Sequence, residues 1–149
     1  SKLHALILFE DWDGVIKRIE KHPEEVLKTT SVKNLPIHAA CYTGKAPPKI
    51  ISSLVRHYPE SVSIQNKAGF NPLYLARKNY ALHSRHRHGV IGCLGAKKEE
   101  IEEAKKIFDD IEEAKKQEAM RVTQNEDKER KKPRTVAQGI GEEVVGEVV

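Results

Sequence analysis

The feature that most restricts how this chain can fold is an internal repeat. His22-Pro23-Glu24-Glu25-Val26 returns as Tyr58-Pro59-Glu60-Ser61-Val62, and Leu35-Pro36-Ile37-His38-Ala39-Ala40 returns as Asn71-Pro72-Leu73-Tyr74-Leu75-Ala76, both at an offset of 36 residues. Leu3-His4-Ala5 echoes Ile37-His38-Ala39 at an offset of 34. Self-similarity at this period marks a stack of small units, none of which can bury its apolar face alone.

Each unit reads as two short helices. Pro36 stands at a first helical turn, where its missing N–H removes no bond. Ile37, Ala40 and Cys41 follow at i, i+3, i+4 spacing, and Gly44 with Pro47-Pro48 ends that helix and starts the next. Ile50, Ile51, Leu54 and Val55 form the second apolar stripe, closed by Tyr58-Pro59. Val15, Ile16 and Ile19 repeat it one unit earlier, with Asp13 as the expected N-cap and Trp12 covering the end of the unit. The stretch 63–69 leads to the next pair, and Gly69 supplies the positive φ of a tight turn.

The pattern resembles the ankyrin repeat. Asn66 to Ala76 is similar to that family's D-x-x-G-x-T-P-L-H-x-A motif, with Asn66 for Asp, Asn71 for Thr and Tyr74 for His. The preceding copy keeps Pro36, Ile37, His38, Ala40 and Gly44. It carries Lys33 where the family has Gly, which argues against a tight turn, and Leu35 where it has Thr, which removes a hydroxyl cap. The resemblance implies an all-α fold: an ankyrin-like helical repeat stack over 1–95, in units of about 1–29, 30–65 and 66–95. It also implies a non-catalytic module that binds a protein through its turn tips and first-helix surfaces. Carried over by position, the partner-binding residues are Ser31, Val32, Asn34, Tyr42 and Thr43, then Lys67, Ala68, Phe70, Lys78 and Asn79. Tyr42 and Phe70 are the expected anchors, since aromatics dominate interface energetics.

Apolar residues are frequent from Leu3 to Leu94 and then give way to Lys/Glu-rich sequence. With 38% hydrophobic and 32% charged residues overall, only the first part can build a sizeable core. Leu3, Leu6, Ile7, Leu8 and Phe9 are expected to form an apolar end covered by upstream repeats, by another subunit or by a few residues just ahead of Ser1. Residues 81–95, rich in glycine, histidine and arginine, read as an enlarged loop. From 96 to 121 a charged amphipathic helix, with Ile101, Ala104, Phe108 and Ile111 on one stripe, is expected to cap the last repeat. Residues 122–149 read as a disordered tail; Lys131-Lys132-Pro133-Arg134 has the look of a nuclear-import run, and the end of the chain has edge-strand character.

Several chemistries weaken on inspection. His83, His86, His88 and Cys93 have ligand side chains, but H-x2-H-x-H-x4-C matches no zinc module and Arg85 and Arg87 lie between them. No metal or cofactor is expected. His38 and Cys41 share a helix at i, i+3 but read as structural, and neither a phosphate-cradling glycine loop nor a nucleophile elbow occurs, so the chain is read as not an enzyme. A net charge of +4 and a pI near 9.0 suit an acidic protein partner. Arg77, Lys78, Arg85 and Arg87 form a basic patch with few aromatics to stack on bases, so nucleic acid is the weaker alternative, behind a structural subunit of a large assembly. No stretch reaches the roughly 20 apolar residues of a membrane span and no signal-peptide pattern is present, so no membrane insertion is expected. Two dissimilar cysteines point to a reducing, intracellular compartment, cytoplasmic or nuclear.

Overall fold

The computed structural model describes residues 1–131, with side chains to residue 125. Its described residues are mostly helical and contain no strand. The helices are α1 (Lys2–Leu8), α2 (Trp12–Lys21), α3 (Pro36–Thr43), α4 (Pro48–His57), α5 (Pro72–Asn79), α6 (Arg87–Cys93) and α7 (Lys98–Lys131), with 3₁₀ turns at Pro23–Leu27 and Pro59–Ser63. Among the described residues no helix is long and apolar enough to cross a membrane.

Prolines phase the chain. Pro36, Pro48 and Pro72 each open an α-helix and Pro23 and Pro59 each open a 3₁₀ turn, where the fixed φ is already helical and no donor is lost. The offset of 36 therefore recurs in the elements: α2 with α4, α3 with α5, and one 3₁₀ turn with the other. The described residues divide into two units, the first residues 1–110 and the second starting at Ile111. In the first, α3 packs between α1 and α5, α4 packs between α2 and α6, and each first helix packs on its own second helix. The core is Leu3, Ile7, Val15, Ile19, Leu35, Ile37, Ile50, Ile51, Leu54, Val90 and Ile91, all essentially inaccessible. Each such side chain contributes about 1.5–3 kcal/mol by leaving water.

In the second unit, α7 continues with mixed charge, including the Glu112–Lys115 and Glu118–Arg121 pairs at 3.5 and 3.6 Å. The helix runs to Lys131, beyond the expected limit at 121, because nothing in 122–131 interrupts it: no glycine or proline occurs there. The rest of the tail expected over 122–149, residues 132–149 with most of the Lys131–Arg134 run, lies outside the described residues.

Other expectations are corrected. The N-cap of α2 is Asp11, whose Oδ1 accepts from the Gly14 N–H at 3.0 Å; Asp13 sits in the first turn, where it complements the helix dipole. The region 81–95 is no simple loop, since α6 occupies Arg87–Cys93. Its glycines permit close approach: a Cβ at Gly89 would lie 2.7 Å from Pro48, and one at Gly92 would touch Ile101. The turn at 30–34 forms despite Lys33, which takes φ +60° itself. Leu35 has no hydroxyl to offer, but its N–H donates to His38 Nδ1 at 3.0 Å, so the helix start stays bonded.

The N-terminal stretch of α7 lies against α5 and α6. Ala104 is buried, Phe108 meets the His88 ring at 6.3 Å, and Arg77 grips Glu100 with two bonds of 2.8 and 2.6 Å. That bidentate pair holds the Glu100 carboxyl below its usual range.

Gly44 ends α3 at φ +65°, and a Cβ there would lie 2.2 Å from the Asn79 backbone oxygen. Gly69 has φ +86° with open space around it. Gly44→Ala is expected to lower the unfolding free energy by about 3 kcal/mol, and Gly69→Ala by about 1 kcal/mol, the conformational part alone. Urea titrations of the two variants check this; equal losses would show that α3 and α5 do not meet at Gly44.

Candidate functional site

Two turns built alike form one edge of the site. In the first, Thr30 N–H donates to Asn34 O at 3.0 Å, Lys33 N–H to Thr30 O at 2.9 Å, and Asn34 N–H to Thr30 Oγ1 at 3.2 Å. In the second, Asn66 N–H donates to Phe70 O at 3.0 Å, Gly69 N–H to Asn66 O at 2.9 Å, and Phe70 N–H to Asn66 Oδ1 at 3.0 Å. Thr30 and Asn66 thus do one job with different side chains, each folding its oxygen back on the following backbone. The turns are tied together by Lys67 N–H to Val32 O and by Asn66 Nδ2 to Asn34 Oδ1, both at 2.9 Å.

The helices α3 and α5 supply the opposite edge. Between helices and turns runs a groove of about 400 Å³, walled by Val32, Tyr42, Phe70 and Leu75 and edged by Asn34, His38, Asn66, Lys67 and Ala68. Six of the residues expected from sequence meet here: Val32, Asn34, Tyr42, Lys67, Ala68 and Phe70. Tyr42 is 65% exposed and Phe70 36%, so neither belongs to the core. Phe70 is steadied by the Tyr74 ring, stacked with centroids 4.5 Å apart, and Lys78 Nζ lies 5.8 Å from the Tyr74 centroid.

The remaining four expected residues lie outside the groove lining. Ser31 is exposed at its turn. Lys78 lies over Tyr74. Thr43 donates its hydroxyl to Ala40 O at 2.7 Å and accepts from Lys45 N–H, while Asn79 Nδ2 donates to Leu75 O at 2.8 Å. These last two side chains serve their own helices. His38, Asn66 and Leu75 line the groove without having been singled out for it; His38 and Asn66 stand at named positions of the family-like motif and Leu75 at an open one, but only the packing of α3 on α5 opens the space above them.

His38 is fully buried. Because Nδ1 accepts from the Leu35 N–H, Nε2 must carry the proton, which it donates to Ile64 O at 2.8 Å. Burial holds this imidazole below its ordinary pKa, against the opposing effect of the backbone carbonyls. His4 repeats the arrangement, with Nε2 donating to Asn34 O at 3.0 Å and Nδ1 bonded to Ser1 Oγ, and burial again lowers its pKa. Both His38 nitrogens are engaged with backbone, so Cys41 has no imidazole base; burial pushes its thiol far up. Among the described residues no group of three or more His, Cys, Asp and Glu side chains is placed to hold a metal ion. Cys93 sits against Pro48 O and His88 against Phe108, each facing a different neighbour.

No family model, no curated protein and no solved structure matches the chain.

The pH dependence follows from the two neutral imidazoles. The unfolded chain protonates them near pH 6.5, whereas the folded rings titrate lower. Stability is therefore complete above about pH 6.5 and falls as the pH drops through the folded pKa values. His38→Ala is expected to lower stability by about 2–4 kcal/mol at neutral pH, since a buried N–H and C=O lose their partner. The variant is also expected to show a shallower decline as the pH falls below about 6.5. Urea midpoints across that range check both; an unchanged slope would remove His38 from the acid response.

Proposed function

We propose that this chain is an ankyrin-type repeat module that binds a protein partner and performs no catalysis. The observation that carries the reading is the groove between the linked turns and α3/α5, with Tyr42 and Phe70 accessible on a hydrogen-bonded frame. Recurrence of paired helices at the offset of 36 and the helix packing order support the repeat assignment. Engagement of both His38 nitrogens and the raised Cys41 thiol support a non-catalytic role. An apolar groove with a few polar groups on its edge is a common form of binding site. The two thiols, unpaired in the described structure, fit a reducing cytoplasmic or nuclear setting.

Partner capture is expected to fall at least tenfold in Tyr42→Ala/Phe70→Ala, because central aromatic anchors each carry about 2 kcal/mol or more. Far-UV circular dichroism and the urea midpoint are expected to stay near those of the parent chain, because both rings are accessible. A pull-down followed by titration with the captured protein reads the effect; equal affinity for both chains would move the contact elsewhere.

One observation favours a second reading, a subunit held in a larger assembly. Leu8 is 62% and Phe9 83% exposed, side by side at the end of α1. If that end is an obligate interface, Leu8→Ser/Phe9→Ser is expected to turn a self-associating preparation into a monomer by sedimentation velocity. A parent chain that is already monomeric at high concentration would dismiss the subunit reading.

A further inference from the structure

Between Val26 and Lys98 the sequence contains twelve lysines and arginines and a single carboxylate, Glu60. This run supplies every residue of the groove. Glu60 belongs to the 3₁₀ turn Pro59–Ser63 and does not line the groove. The lining contains one lysine, Lys67, and no carboxylate, and its histidine, His38, is buried and neutral. Lys33 stands beside Val32 at the tip of the first turn, and Lys78 lies over the Tyr74 ring that backs Phe70. The apolar trough is thus edged by exposed lysines and lined by no carboxylate. Low-dielectric walls concentrate the field of such charges on whatever enters.

From this we infer that the groove takes an acidic polypeptide segment, with an apolar side chain lodged between Tyr42 and Phe70 over Leu75, and Asp or Glu carboxylates beside it meeting Lys67 and Lys78. The inference rests on the groove being the binding site and adds the chemistry of its occupant. Complementary charge at the rim speeds encounter and rejects basic competitors, while the buried apolar anchor slows departure.

A nucleic acid fits less well. The groove holds no arginine, the side chain whose planar fork matches a phosphate; Arg77 is taken by Glu100. The aromatic pair beside the groove, Phe70 and Tyr74, is stacked on itself, which leaves no slot for a base between the two rings.

The test is selection of a displayed random-peptide library on the chain of residues 1–149, followed by titration of the enriched peptides. Parallel titrations use Lys67→Glu/Lys78→Glu and Tyr42→Ala/Phe70→Ala, with urea midpoints to verify folding, and a labelled oligothymidylate. Enriched peptides are expected to carry an apolar residue flanked by acids. Their binding is expected to weaken about tenfold or more in each double variant and with added salt, as a charge-steered, aromatic-anchored contact requires. Peptides lost with the aromatic variant but showing no acidic excess, or indifferent to the lysine reversals, would overturn the inference and leave the groove as the binding site. Peptides that bind the aromatic variant unchanged would overturn the groove itself. Enrichment of no peptide, or tighter binding of the oligothymidylate, would also sink the acidic-segment occupant.

Discussion

In each of the first two helical pairs a neutral imidazole in the leading helix donates its Nε2–H to the backbone of the turn that follows. His4 reaches Asn34 O, and His38 reaches Ile64 O while accepting the Leu35 N–H. Apolar packing could hold α1, α3 and α5 side by side at several small offsets, because burial is not directional. A hydrogen bond of 2.8–3.0 Å to a particular carbonyl is directional, and leaving the Ile64 carbonyl unpaired away from water would cost about 1–3 kcal/mol. These rings therefore fix where each turn sits over the preceding helix. Once the turns at 30–34 and 66–70 are placed, the Lys67–Val32 and Asn66–Asn34 bonds join them, and the groove follows from their separation from α3 and α5.

How much of this was legible depends on the distance over which each residue acts. Prolines announce themselves locally, so Pro36, Pro48 and Pro72 marked helix starts correctly. Gly69 announced a positive φ, and His38 read as a structural side chain from its place on the helix. The bond from His38 to Ile64 spans 26 residues and leaves no local trace. Glycine was the least readable residue, because its role depends on what approaches it. Gly89 and Gly92 looked like helix breakers yet give α6 room against Pro48 and Ile101, while Gly44 answers to the Asn79 carbonyl as well as to its own φ. The turn at Lys33 shows the converse: the bonds of Thr30 and Asn34 hold a left-handed conformation that costs a lysine about 1–2 kcal/mol.

The site was legible where it is made of turn tips and a helix face, and less so where side chains are diverted. Tyr42, Phe70, Val32 and Lys67 were placed by motif position, and that position controls which way the backbone points them. Thr43 and Asn79 occupy equivalent positions one unit apart, but both bond to their own helix. Short polar side chains compete readily for nearby backbone groups, and a motif does not record that competition.

Stability and the proposed recognition draw on different atoms of the same residues. Val32 contributes its carbonyl to the frame, and Lys67 and Ala68 contribute their N–H groups; their side chains lie along the groove. Phe70 gives both its N–H and its carbonyl to the turn while its ring stacks on Tyr74. A backbone-built frame is indifferent to side-chain identity at these positions, apart from the φ that Lys33 and Gly69 must adopt. Immobilising a side chain on binding costs about 0.5–1.5 kcal/mol; Phe70, already stacked, has less of that cost left to meet. The same turns can therefore carry other side chains along the groove without refolding, while His4 and His38 are bound to their identity by two hydrogen bonds each.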